Sequence, residues 1–289
     1  MNYSALGDWA ARKGGSIYAL DWLGMGLSAR VPFKVHAKRE DTEKRVTQAE
    51  DFFLNALEEW REKNGFDKIT LVGHSLGGYL SAAYALRHPN RVSRLILLSP
   101  AGIPRNPKKP TAAEEATLEA AAEAEQKQSL LRKLGTHAWE AGWSPFQIVR
   151  SATFFGPLLV GRYSTWRFRH FTDEDSRDMN NYIWHITRAK GSGEYCISHI
   201  LEPGAHARLP MVDRMDKLKI PVTFFYGDQD WMDEQGGRET VRRLRQAGNT
   251  QAKSVQIQYA GHHLYLDNPD ETNKLLIREL DKTVPSMSL

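Results

Sequence analysis

The feature that most constrains this chain is a G-x-S-x-G motif around Ser75, at residues 73–77. An apolar, β-branched run (69–72) precedes it, and a helical pattern of apolar residues (80–86) follows at once. This order predicts a strand, a sharp turn and a helix, with the serine at the turn. The serine of such a turn has a strained backbone, and its hydroxyl lies at a helix N-terminus whose dipole stabilises developing negative charge. We therefore interpret Ser75 as a nucleophile, against the alternative of an incidental serine in a glycine-rich turn.

Composition limits the possible classes of protein. A chain of 289 residues with 41% hydrophobic content can bury a substantial core, as one large domain or a domain with an insertion. The net charge of +4, without a long basic run, does not indicate a nucleic-acid partner. The single cysteine, Cys196, excludes an internal disulfide and favours a reducing compartment. No run of 18 apolar residues is present, so we expect no membrane-spanning helix, and the N-terminus lacks a signal-peptide core.

Short apolar runs alternate with helical patterns along the chain. The runs predicted to be buried strands are 17–20, 69–72, 94–99, 220–226 and 255–259. An amphipathic helical pattern at 41–60 and another at 239–246 separate successive runs, and a closing helix is expected over 271–280. Strands joined by helical crossovers predict an α/β fold with a mostly parallel, right-handed sheet flanked by helices.

The alternation stops between residues 101 and 218, where helical patterns continue but no convincing buried strand occurs. We interpret this interval as a helical cap inserted into the core. The predicted organisation is a first core segment (1–100), the cap (101–218) and a second core segment (219–289). Within the cap, residues 111–134 predict an Ala/Glu-rich solvated helix that begins with a capping box.

The second part of the cap, residues 141–171, contains no acidic residue. It combines many aromatic and apolar side chains with Arg150, Arg162, Arg167 and Arg169. Basic side chains around an aromatic surface are typical of a segment that lies at a membrane interface. The alternative is that these aromatic residues fill the core of the cap and cover the active-site cleft.

A serine hydroxyl needs a base to take its proton and a carboxylate to orient that base. Asp230 and His262 follow Ser75 in the chain, each just beyond the carboxyl end of a predicted strand, where parallel sheets build their sites. We predict His262, directly after Gly261 at the strand end, as the base. Asp230 is the predicted acid, because G-x-x-D after this strand resembles the usual position of the acid in the α/β-hydrolase superfamily. Asp228 and Asp233 are alternative acids, and one of the three aspartates could simply cap the next helix.

Four other histidines are candidates that the pattern does not favour. His263 is expected to pack beneath the base. His74, inside the motif, and His185 and His199, in the cap, are expected to be structural histidines.

Several segments together resemble a family. The elbow GHSLGG around Ser75, the loop ALDWLGMGLSAR with its D-x-x-G-x-G-x-S pattern, the segment SGEYCISHIL, and GHHLYLDNPD with the H-x4-D pair His262 and Asp267 resemble α/β-hydrolases. The similarity is to the branch that contains fungal cardiolipin-specific deacylases and animal lysophospholipase and lipase-coactivator proteins. It extends over most of the chain from residue 17 onward.

This resemblance implies a serine acyl hydrolase acting on phospholipid or lysophospholipid acyl esters, without a cofactor or a metal. It also implies acyltransferase activity when the acceptor is not water, with His262 and Asp267 as the acyltransferase-type motif. The alternative is a structural role, in which Asp267 holds the start of the last helix. Some relatives lack the serine and are non-catalytic lipid- or lipase-binding proteins, whereas this chain keeps Ser75. Peripheral association with membranes, mitochondria or lipid droplets is a further implication.

The sequence departs from the family at its start. Family members have about three earlier strands and a His-Gly loop that supplies one oxyanion-hole N–H, the other coming from Leu76. No His-Gly pair precedes Ser75 here. We therefore expect one of two situations: these elements lie upstream of residue 1 in a longer chain, or half of the oxyanion hole is lost. The loss of one donor would cost ~3–4 kcal/mol of transition-state stabilisation. Missing strands would also leave an exposed sheet edge.

Overall fold

The structure is a computed structural model that describes residues 4–107, 130–152, 155–168 and 171–283. Most of the Ala/Glu-rich helix expected over 111–134 lies outside these described residues.

The chain divides into two compact units. The first consists of Met1–Ala19, Leu54–Ala122 and Gly204–Leu289, and the second of Leu20–Phe53 and Glu123–Pro203. These boundaries differ from the predicted ones, because residues 20–53 group with the cap segment and the return to the first unit begins at Gly204.

Four strands form one parallel sheet in the order β1-β2-β3-β4, so that strand order equals chain order. They are β1 (Ile69–His74), β2 (Val92–Leu98), β3 (Val222–Gly227) and β4 (Lys253–Ile257). Strand β3 is wholly buried, and so is β2 except at Ser93, as expected for the inner strands of a parallel sheet covered by helices. The structure and the α/β fold predicted from the sequence agree.

The helices of the described residues, in chain order, are α1 (Ser4–Lys13), α2 (Thr42–Lys63), α3 (Leu76–Arg87), α4 (Leu130–Glu140), α5 (Pro145–Ser151), α6 (Gly156–Arg167), α7 (Asp173–Arg188), α8 (Ile197–Ile200), α9 (Glu234–Gln246), α10 (Leu264–Asp267) and α11 (Pro269–Asp281). Single 3-10 turns occur at Pro89–Arg91, Gly193–Cys196, Met211–Asp213 and Met215–Lys217. Among these described helices, none combines the length and the apolar character that crossing a bilayer needs.

One hydrophobic core of the first unit lies between the sheet and the two terminal helices. Trp9 of α1 packs with Phe225 of β3, Ile257 of β4 and Leu276 of α11. The Trp9 indole Nε1 also donates a hydrogen bond to Asp281 Oδ1 (2.9 Å), which ties the first helix to the last. The two ends of the described chain therefore stabilise the same face of the sheet.

The prediction of a buried strand at 17–20 is wrong. These residues are irregular, and in the described part of the chain no strand lies beside the outer edge of β1 to pair with them. Tyr18 instead packs its ring against Trp60 (5.3 Å between centroids) and Phe66 (5.4 Å). Strand β1 was expected to be buried but is an edge strand of the described sheet, with Val72 exposed.

The D-x-x-G-x-G-x-S loop folds on itself in the second unit. The Asp21 carboxylate accepts a hydrogen bond from the Leu27 N–H (2.9 Å), and Ser28 Oγ donates to the Asp21 carbonyl (2.6 Å). Gly24 has φ +76°, and a Cβ there would lie 2.4 Å from the Gly193 nitrogen. The glycine pattern therefore serves close packing within this unit.

The single cysteine lies in the same unit. Cys196 is fully buried, and burial raises the pKa of its thiol, so the side chain serves packing within this unit.

A buried carboxylate joins α11 to the sheet. Glu279 accepts hydrogen bonds from Arg94 Nη1 (3.0 Å), Thr223 Oγ1 (2.9 Å), Lys253 Nζ (2.5 Å) and Lys282 Nζ (2.7 Å). Burial by itself raises the pKa of Glu279, but the hydrogen bonds from the two lysines and the threonine outweigh it and lower the pKa to about 2.

Replacing Glu279 by glutamine should destabilise the protein by roughly 3–5 kcal/mol at pH 7, because it leaves the buried Arg94 charge uncompensated. Because the pKa of Glu279 is lower in the folded protein, its contribution is present above the unfolded value near 4.5 and is lost as pH falls toward 2. Urea unfolding at pH 7 and pH 3 should therefore show a weaker acid dependence in Glu279→Gln. The control is Glu59→Gln, which removes an exposed ion pair with Lys63 and should leave the urea midpoint nearly unchanged, because exposed ion pairs contribute little. Equal losses of unfolding free energy in the two variants would contradict the role of Glu279 as the buried partner of Arg94.

Candidate active site

Ser75 lies in a strained turn between β1 and α3. Its backbone has φ 53° and ψ −122°, outside the regions that non-glycine residues favour. The turn is held because the Ser75 N–H donates to the Leu98 carbonyl (3.0 Å) while its own carbonyl accepts from the Ala101 N–H (3.0 Å). A Cβ on Gly73 would lie 2.5 Å from the Gly77 carbonyl oxygen, so the strand and the helix approach this closely only with glycine. This is the strand–turn–helix that the motif predicted.

The three residues predicted as a triad lie in hydrogen-bonding contact. His262 Nε2 is 3.0 Å from Ser75 Oγ, and His262 Nδ1 is 3.1 Å from Asp230 Oδ1. Since the carboxylate can only accept, Nδ1 carries the proton, and Nε2 is left to accept from the serine hydroxyl. The Asp230 side chain is 1% exposed and that of His262 is 9% exposed. The arrangement can therefore move a proton from the serine to the imidazole within a largely dry site.

Asp230 is kept ionised although it is buried. Burial raises the pKa of this carboxyl, but hydrogen bonds from His262 and from the Met232 N–H (3.0 Å), together with the nearby Ser99 hydroxyl, lower it, and the net pKa is below the ordinary value. The Ser99 hydroxyl acts by proximity, because within the described residues neither it nor Asp230 Oδ2 has a hydrogen bond of good geometry. An ionised Asp230 can stabilise the imidazolium that forms when His262 takes a proton.

The alternative acids have other partners. Asp228 Oδ1 accepts from the Ala260 N–H (3.0 Å), and Asp233 Oδ1 accepts from the Gln235 N–H (2.8 Å) as the N-cap of α9. One of the three aspartates was expected to cap the next helix, and Asp233 does so. Of the three, Asp230 is the one that meets His262. The described residues contain no group of three His, Cys, Asp or Glu side chains placed to hold a metal ion.

The predicted oxyanion donor is the N–H of Leu76, the first residue of α3. N–H groups in the first turn of a helix have no partner in the helix ladder. The Leu76 N–H is therefore available to an oxygen that develops negative charge beside Ser75, and its role stays a prediction.

Asp267 does not pair with His262, since both nitrogens of that ring are already bonded to Ser75 and Asp230. Its carboxylate instead accepts from the Gly261 N–H (2.9 Å). The expected role at the start of the last helix is performed by Asn268, whose side chain caps α11. Asp267 therefore holds the backbone immediately before the base.

His74 was expected to be structural, but it contacts the site directly. As the last residue of β1 it precedes Ser75, and its Nε2 lies 2.8 Å from the His262 carbonyl oxygen. Since a carbonyl only accepts, Nε2 donates, and the two rings lie 4.7 Å apart. The position of His74 was visible in the sequence, but its partner lies 188 residues further along the chain.

The other histidines lie where the sequence analysis expected. His263 packs edge-on against His262 (5.3 Å between ring centroids). His185 belongs to α7, and His199 Nδ1 accepts from Arg45 Nε (3.0 Å) within the second unit.

Two further residues beside the triad were missed. Trp231 packs its ring 5.0 Å from His262 while most of its own surface stays exposed. Ser99, which directly follows β2, is fully buried near Asp230. The available signal was the same one that identified Asp230, namely a position at or next to the carboxyl end of a predicted strand.

A parallel sheet with a strained serine turn, and with serine, histidine and aspartate joined at its carboxyl edge, defines the class of α/β hydrolase folds. The sequence profile of that fold family matches residues 2–269, and the chain belongs to the α/β hydrolase family.

The chain is similar to three known proteins. It is 34% identical over 267 residues (88% of this chain) to a probable 1-acylglycerol-3-phosphate O-acyltransferase of Oryza sativa subsp. japonica, of which it spans 58%. It is 31% identical to a human (Lyso)-N-acylphosphatidylethanolamine lipase, with 90% of this chain and 70% of the relative covered. A solved structure of a probable hydrolytic enzyme from Pseudomonas aeruginosa PAO1 matches with a TM-score of 0.60 at 19% identity, covering 96% of this chain and 80% of that one, which shows the shared fold.

The His74 hydrogen bond predicts a defect in turnover. His74→Phe keeps a ring of similar size but leaves the His262 carbonyl without its donor, which should lower kcat on a soluble ester roughly tenfold with little change in KM. His74→Gln, whose amide can still donate, should retain more of the activity. The prediction is checked by measuring ester hydrolysis by both variants and the rate at which a fluorophosphonate labels Ser75 in each. Equal losses in Phe and Gln variants would show that the hydrogen bond does not position the base.

Proposed function

We propose that this protein is a serine acyl hydrolase that cleaves acyl esters of phospholipids or lysophospholipids. The observation that carries the proposal is the hydrogen-bonded chain from Ser75 through His262 to Asp230. The substrate class is supported by the names of relatives, among them the human (Lyso)-N-acylphosphatidylethanolamine lipase. Because the chain spans 58% of the rice relative's length, the activity of the whole protein is part of the proposal.

The proposed reaction has two steps. His262 Nε2 takes the proton of Ser75 Oγ, which attacks the ester carbonyl, and the Leu76 N–H donates to the resulting oxyanion. Collapse breaks the ester bond, and His262 gives its proton to the leaving lysophospholipid or glycerol oxygen. In the second step His262 deprotonates a water that attacks the acyl–Ser75 ester. The bond between the acyl carbon and Ser75 Oγ then breaks, His262 returns the proton to Ser75 Oγ, and the fatty acid leaves.

A fluorophosphonate probe should label Ser75 in the folded protein and should not label Ser75→Ala. Asp230→Asn should lower kcat by roughly 10⁴-fold, because an amide at this position no longer selects the reactive tautomer of the base. Mass spectrometry of the labelled peptide and hydrolysis of a lysophospholipid measure these effects. A folded wild-type chain that stays unlabelled would instead support the competing function, a non-catalytic lipid- or lipase-binding protein on a hydrolase scaffold.

Acyl transfer is a second candidate, favoured by the name of the rice relative. The same acyl–Ser75 ester could be attacked by the hydroxyl of a lysophospholipid instead of water. Because the His262 ring is already bonded on both sides, this route uses the triad and not a separate dyad of His262 and Asp267.

Asp267→Asn tests that route. The variant weakens the acceptor for the Gly261 N–H and loosens the backbone before His262, so hydrolysis and acyl-CoA-dependent transfer should fall together, by roughly three- to tenfold. Both products are measured in one assay with a labelled acyl donor, and Asp270→Asn, on an exposed position in the first turn of α11, is the control. Loss of transfer with hydrolysis intact would restore the separate acyltransferase motif.

A lipid substrate also implies a lipid surface. We propose that the protein associates peripherally with membranes. Family resemblance also implies association with mitochondria or lipid droplets, and this stays a prediction that cell fractionation checks.

A further inference from the structure

Helix α6 of the second unit presents small side chains to its neighbours. Its buried positions are Gly156, Val160 and Ser164, spaced four residues apart on one face. A Cβ on Gly156 would lie 2.8 Å from the Trp184 ring of α7, so this contact tolerates no larger residue. The helix therefore packs through its smallest side chains.

The exposed surface of α6 carries the large apolar side chains. Phe155, Leu158, Leu159, Tyr163 and Trp166 are 69%, 67%, 43%, 51% and 68% exposed. Their spacing of three and four residues places them together, and we call them the apolar face of α6. Single exposed apolar residues are ordinary, but a contiguous group of this kind indicates an interaction surface.

The arginines of residues 141–171 lie in different surroundings. Arg150 was expected to surround the aromatic surface, but it turns inward and pairs with the buried Glu194 (2.5 Å) while donating to the Thr187 carbonyl (3.1 Å). Arg167 is partly buried, with its guanidinium 6.0 Å from the centre of the Phe168 ring. Arg162 is exposed, one residue before Tyr163 of the apolar face. Arg169 and Phe154 lie outside the described residues.

We propose that the apolar face of α6 inserts into the headgroup boundary of a lipid surface, with Arg162 reaching the lipid phosphates. Tyr163 and Trp166 have the amphipathic rings that suit this boundary, and the helix would lie in its plane. The proposal holds whether or not Ser75 is catalytic, because it uses only the second unit.

A second copy of the chain fits this face less well. In a two-fold dimer the same patch meets itself, which brings the two Arg162 side chains close together. No acidic residue between positions 141 and 171 is present to compensate them. Lipid phosphates supply that negative charge, and acyl chains accept the aromatic rings.

The test is flotation of the full chain with vesicles of phosphatidylcholine, with and without phosphatidylglycerol. The double variant Leu158→Glu/Trp166→Glu should lower the partition coefficient about 100-fold, since each change replaces a large apolar group by a charge. Arg162→Gln should lower it roughly fivefold on the anionic vesicles and little on pure phosphatidylcholine. Binding of the wild type should persist at high salt, because apolar contact dominates.

The matched control is Leu27→Glu, which charges a leucine of the same unit that is also exposed. It should float like the wild type, and so should Ser75→Ala. Circular dichroism and hydrolysis of a soluble ester establish that the double variant is folded, and the ester assay reports separately on the proposed function. Wild-type chain that does not float, or a double variant that floats equally well, overturns the proposal. Light scattering reports the oligomeric state. If the wild type is a dimer, the double variant is a monomer and flotation is unchanged, the face binds a second copy of the chain instead.

Discussion

The arrangement of the candidate site depends on one strained turn. Ser75 has a backbone conformation that costs of order 1–3 kcal/mol, and it persists because its surroundings hold it from both sides. Its N–H and carbonyl are bonded to the end of β2 and to Ala101, and Gly78 brings α3 so close that a Cβ there would lie 2.8 Å from Pro100. The buried helix and the β1–β2 ladder thus offset the strain and hold the hydroxyl at the carboxyl edge of the sheet.

The rest of the site follows from a parallel sheet whose strand order equals its chain order. Ser75, Ser99, Asp230 and His262 lie at or just beyond the carboxyl ends of β1, β2, β3 and β4. Strand β4 is three strand spacings from β1, or ~14 Å, so the segment after β4 must run back along the sheet edge to bring His262 to Ser75.

That returning segment is held at three successive residues. Asp228 accepts from the Ala260 N–H, Asp267 accepts from the Gly261 N–H, and His74 donates to the His262 carbonyl. Each partner comes from a different element, namely the end of β3, helix α10 and the end of β1. His262 is therefore positioned mainly by its backbone, and Asp230 then orients its ring.

Local patterns in the sequence were sufficient to predict the strands β1 to β4, the helices between them, and a serine, an aspartate and a histidine near strand ends, because periodicity and strand-end position are short-range properties. The choice of Asp230 among three aspartates came from the family resemblance, and the catalytic roles stay predictions. The local patterns failed at 17–20, where an apolar run reads as a strand but finds no neighbour in the described sheet. They also could not distinguish Arg150, which pairs inward with Glu194, from the exposed Arg162, or reveal that His74 bonds to His262. Those facts depend on which side chains meet across tens to hundreds of residues, and only the tertiary packing decides that.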